Sequence, residues 1–75
     1  MPKSKTFEEQ YPSIHYFVES IGWIEIGQHE VLSSFVRAYD EGGTVYEGKA
    51  RYPSMKAALQ DLEARIKAYL DELGI

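Results

Sequence analysis

At 75 residues the chain holds one domain at most, and the absence of cysteine removes disulfides, thiolate nucleophiles and cysteine-ligated zinc. A hydrophobic share of 44%, with ten aromatic residues, argues against intrinsic disorder. The net charge of −4 opposes long-range attraction to a nucleic-acid backbone; without Lys3 and Lys5 the balance is six basic against twelve acidic residues. A domain this small buries only about three-fifths of its unfolded surface, so covering an apolar face with a partner, as in a homodimer, would add much to its stability.

Met1-Pro2-Lys3-Ser4-Lys5 contains no apolar run and reads as a flexible tail (residues 1–5) ahead of a single domain (6–75). Neither secretion nor membrane spanning is expected, and a cytoplasmic location follows by default from the lack of disulfides. Thr6-Phe7-Glu8-Glu9 fits a capping box. Apolar residues then recur at Phe7, Tyr11, Ile14, Val18 and Ile21, a helical stripe that Pro12 interrupts. Either a turn at 6–10 precedes a helix starting near Pro12, or one helix kinks there. The first is preferred because proline suits a first turn, with Gly22 closing the helix at positive φ.

From Trp23 the period changes to two. Trp23–Gly27, Leu32–Tyr39 and Thr44–Tyr52 read as strands, the last two joined at Asp40-Glu41-Gly42-Gly43, a hairpin turn. Pro53 ends the third strand and Ser54 caps a helix over 55–73. Its apolar face is Met55, Ala58, Leu59, Leu62, Ile66, Tyr69, Leu70 and Leu73, and Gly74 stops it. Asp61 with Arg65 and Glu63 with Lys67 are spaced as i,i+4 pairs on its solvated side.

The fold class implied is α+β: a three-stranded antiparallel meander with two helices packed on one face. Within this layout stand Gly27-Gln28-His29, the Phe35–Tyr39 strand, Gly42-Gly43, Glu47-Gly48 and Ser54-Met55-Lys56-Ala57-Ala58-Leu59. In order and length, over roughly residues 10–73, the chain resembles the double-stranded-RNA-binding domain. That resemblance implies an α-β-β-β-α fold and contacts to RNA phosphates from the start of the last helix. The family places a cluster of lysines there; this chain keeps Lys56 alone, and its spacing from His29 to Phe35 is longer.

Catalytic patterns are missing, and a non-enzymatic domain without cofactor or metal is expected. His15 and His29 fall on different elements, with no spacing that would gather metal ligands. Ser33, Ser34 and Ser54 lack a neighbouring base, Ser54 being explained as a cap. Acids at 61, 63, 71 and 72 read as a solvated helix face.

Two constellations remain. Arg37, Lys49, Arg51 and Lys56 could form an anion or nucleic-acid contact, against the alternative of cross-strand pairing with Glu25 and Glu47. Strands one and two are apolar on both faces. Placing Ile24, Ile26, Val36 and Ala38 under the helices leaves Trp23, Phe35 and Tyr39 as an aromatic patch on the open face, unless the N-terminal segment covers it or a one-residue slip interchanges the faces. The patch points to an interaction module, a homodimer or a complex with an unknown protein partner. The basic set points to the alternative, a divergent double-stranded-RNA-binding domain.

Overall fold

The computed structural model describes residues 6–28 and 30–75; the expected tail and His29 lie outside the described residues. The elements run α1 (Phe7–Gln10), α2 (Pro12–Ser20), β1 (Gly22–Ile26), β2 (Val36–Asp40), β3 (Gly43–Glu47) and α3 (Met55–Leu73). The strands form an antiparallel sheet in the order β1-β2-β3, with the helices on one side, giving the α-β-β-β-α order. Among the described residues no helix is long and apolar enough to cross a membrane.

The capping box forms: the Thr6 hydroxyl accepts from the Glu9 amide at 3.3 Å, and Glu9 Oε1 accepts from the Thr6 amide at 3.2 Å. Pro12 then begins a separate helix rather than kinking one. This break resets the phase. The buried residues are Tyr11, Ile14 and Phe17, whereas Val18, part of the expected stripe, is 44% exposed.

Gly22 does not close α2 at positive φ. The helix passes through Ile21 directly into β1, and Gly22 is the first strand residue. A glycine is needed there for a different reason: a Cβ would collide with the Tyr39 carbonyl of the paired strand.

β2 is shorter than its β-rich sequence suggests, and residues 31–35 are irregular. β3 also ends early, at Glu47. The Gly48 amide still donates to Val36 O and the Phe35 amide to Lys49 O, but then the chain turns and the Lys49 amide donates to the Tyr52 hydroxyl at 2.9 Å. At the hairpin, Asp40 Oδ1 accepts from the Gly42 amide at 2.8 Å, and Gly43 takes the positive φ of 121°.

The core joins Tyr11, Ile14 and Phe17 to Val36 and Ala38 of β2 and to Ala58, Leu62, Ile66 and Leu70 of α3. Register puts Ile24 and Tyr46 opposite Ala38 on the helix-covered face. A bulge beside Ala38/Tyr39 leaves Val45 unpaired, and Val45 and Tyr46 both lie against α3 beside Arg65 and Tyr69. Strands of five residues are about 17 Å long, whereas α3, at 19 residues, runs about 28 Å. Its ends therefore overhang, and Met55 and Leu73, expected in the core, are each 51% exposed. Ile26, likewise expected inside, is 42% exposed on the outer strand.

Glu63 does not pair with Lys67. Its carboxylate reaches across to α2 and accepts from the amides of Ser13 (3.0 and 3.1 Å) and Ile14 (3.0 Å), capping a helix that its own N-cap residue, Tyr11, leaves uncapped. Lys67 bridges Asp71 instead, at 3.2 Å. Glu63→Ala should cost about 1 kcal/mol, as for the loss of a helix cap, and lower the melting temperature by roughly 4–8 °C. A calorimetric midpoint unchanged from wild type would show that this cap adds nothing to stability.

Candidate functional site

On the open face Trp23 and Tyr39 are cross-strand partners, their rings stacked at 5.8 Å with an interplanar angle of 27°. Trp23 is 49% exposed. Phe35 stands apart from them: it precedes β2, is half-buried, and packs with Tyr52 at 6.4 Å. The expected three-residue patch is thus a two-residue stack with a separate Phe35–Tyr52 contact.

Arg37 lies between them in sequence and is buried, at 3% exposure. Its Nε donates to Glu25 Oε1 at 3.2 Å, its Nη2 to the Gly27 carbonyl at 3.3 Å, and its Nη1 to the Ser34 carbonyl. One guanidinium thus fastens both ends of the β1–β2 loop to the sheet and is satisfied by cross-strand pairing with Glu25, leaving it no part in a surface anion site. Lys49, Arg51 and Lys56 are exposed. Lys49 Nζ lies 5.9 Å from the Tyr52 ring centroid. Arg51 borders a hollow with Phe35, Tyr52 and Met55, whereas Lys56 borders another that also holds Glu9 and Glu63.

The larger apolar feature lies on the helical side. Phe7, Val18, Ile24, Ile26, Met55 and Leu59 line a shallow groove along β1, floored by Ile14 and Leu62. Phe7, Val18, Ile26 and Met55 are each between 42% and 51% exposed. Sequence reasoning missed this groove, although the signal was there: the helices carry more apolar residues than a three-stranded sheet can cover.

Asp61 is the other polar centre. It does not pair with Arg65 on a solvated face; its Oδ2 accepts from the hydroxyls of Tyr46 and Tyr52, both at 2.5 Å. The Arg65 guanidinium lies 5.6 Å from the Tyr46 ring centroid. Burial alone would raise the Asp61 carboxyl, but the two tyrosine hydrogen bonds, helped by Arg65 and Lys49, outweigh it and hold the carboxyl below its ordinary value. Burial, and then the Asp61 carboxylate, push Tyr46 and Tyr52 upward. At neutral pH the trio is an ionised acceptor between two protonated donors, an arrangement that ties sheet to helix and has no proton poised to move. Tyr69 and Asp40 make a similar link at 2.7 Å. His15 Nε2 lies 3.4 Å from Glu8 at the surface. Among the described residues no group of three histidine or acidic side chains is placed to hold a metal.

The shifts fix how stability should vary with pH. The Asp61 contribution is complete above its unfolded value of 3.8 and is lost as pH falls through the lower folded value. The tyrosine contribution is complete below 10.0 and is lost as pH rises toward the higher folded values. Asp61→Ala, which leaves two part-buried hydroxyls without an acceptor, should destabilise by roughly 1–3 kcal/mol near neutrality and flatten both limbs of the stability–pH curve. Denaturant titrations from acid to alkaline pH would refute this by giving wild type and variant curves of the same shape. Compared with known proteins, the chain matches no family model, no curated protein and no solved structure.

Proposed function

We propose that this domain is a non-enzymatic protein-interaction module that self-associates through the apolar surface around β1. The carrying observation is that β1 is an outer strand with exposed apolar groups on both faces: Trp23, stacked on Tyr39, on one side, and Ile26, bordering the groove, on the other. Scattered exposed apolar residues are ordinary on a small domain, but a contiguous set along one edge strand is characteristic of an interface. Sedimentation over a wide concentration range should reveal a reversible dimer, and Trp23→Ala should weaken it at least ~10-fold, the size of effect an aromatic anchor gives. Phe35→Ala should instead lower the melting temperature and leave association unchanged, since Phe35 packs within the domain. A strict monomer at all concentrations would overturn the proposal.

The α-β-β-β-α order supports a second reading, a divergent double-stranded-RNA-binding domain using Arg51 and Lys56. The first reading is preferred because, of the cations this one would draw on, Arg37 is withdrawn into the sheet and Lys56 shares its hollow with Glu9 and Glu63. If it held, duplex RNA would bind at low ionic strength and be released steeply as salt rises, with a slope reduced by about one when Arg51 is replaced. Absence of binding in low-salt titrations would remove it.

A further inference from the structure

β1 is bounded by β2 on one side only, and the ladder fixes which of its backbone groups face outward. The Gly27 amide donates to Phe35 O, so hydrogen-bonded pairs recur at Glu25–Arg37 and Trp23–Tyr39. The intervening residues Gly22, Ile24 and Ile26 therefore direct their N–H and C=O groups away from β2, with no other strand of the described residues to receive them.

Protein edges are ordinarily guarded by lysine, proline or a bulge. At the other edge, β3 carries the bulge at Val45 and is followed by Lys49. β1 carries none of these. Its sequence is Gly-Trp-Ile-Glu-Ile, and its one charge, Glu25, is matched within the chain by Arg37. The strand thus meets a copy of itself without net repulsion.

We infer, resting on the self-association just proposed, that the partner is a second copy of this chain, joined through antiparallel β1–β1 pairing with Ile24 on the two-fold axis. Directly opposed residues of an antiparallel pair share a face, so this register keeps both sets of helices on one side of a continuous six-stranded sheet. Ile24 meets Ile24 of the second copy, and Gly22 meets Ile26, through the outward backbone groups. Trp23 comes to lie across from Glu25 of the second copy, already neutralised by its own arginine. On the helical side the two grooves merge across the axis. Phe7, Val18, Trp23, Ile26 and Met55, each between 42% and 51% exposed, supply the apolar surface this pairing would cover. A standard interface draws on roughly 800 Å² per partner, of which somewhat more than half is apolar.

The chain lacks cysteine, so single cysteines report proximity cleanly. Ile24→Cys should form a disulfide dimer on mild oxidation, because the Cα atoms of a hydrogen-bonded antiparallel pair stand about 5.5 Å apart, within disulfide reach. Thr44→Cys on β3 should not. Ile24→Pro removes an N–H that serves no bond within the chain, and Ile26→Lys places a charge on the edge through a side chain already half in solvent. Either should raise the dimer dissociation constant at least ~30-fold while far-ultraviolet dichroism stays native. A wild-type dimer that persists in folded Ile24→Pro and Ile26→Lys, with no cross-link at position 24, overturns the edge pairing and leaves self-association standing. A wild-type monomer overturns both.

Discussion

α3 sits on the sheet through Ala58, Leu62, Ile66 and Leu70, one helical turn apart, and from either flank of that stripe a carboxylate reaches another element. Asp61 gathers two tyrosines from the end of the sheet and the segment beyond it; Glu63 holds the first turn of α2. The hydrophobic stripe sets how deeply α3 lies, and the two acids set its rotation and its place along the sheet. Were α3 turned by one residue, the apolar stripe and both polar contacts would fail together. Agreement among these levels is what gives so small a core one arrangement instead of several.

The same seating creates the apolar groove along β1. A helix longer than the sheet it covers must overhang, and Met55 emerges at the overhang beside β1. Since α1 and α2 meet at Pro12 with a change of phase, Phe7 and Val18 turn toward that same border, not into the core. The groove is a by-product of fitting three helical segments to a narrow sheet. Its apolar character follows because those helices carry wider stripes than the sheet can bury.

Element order was legible in the sequence because its signals are local: the capping box at Thr6, the change of period at Trp23, the acidic-glycine turn at residue 40 and the Ser54 cap. The phase of α2 was not, since a stripe drawn through Pro12 assumes one continuous helix and so passes over Phe17. Nor were the roles of Asp61 and Glu63. Spacing along a helix displays neighbours three or four residues away, whereas their partners lie nine to fifty residues distant. Arg37 illustrates the other half of the same limit. Its cross-strand alignment with Glu25 could be anticipated, but its burial depends on two loop carbonyls whose convergence no pattern encodes. The aromatic patch was half legible: Trp23 and Tyr39 are strand residues and alternate as strands do, while Phe35 falls where the strand has not yet begun.

The dependence on α3 has a consequence for synthesis on the ribosome. α3 follows every other element in chain order, yet it supplies much of the core and the cap of α2. Until it emerges, Val36, Ala38 and Phe17 lack the Ala58, Leu62, Ile66 and Leu70 side of their core, and a nascent chain of α1, α2 and the meander presents a partly covered apolar sheet face together with the unguarded β1 edge. Full closure of the core waits on α3, and the interval before it docks is when the sheet is most open to pairing with the wrong chain.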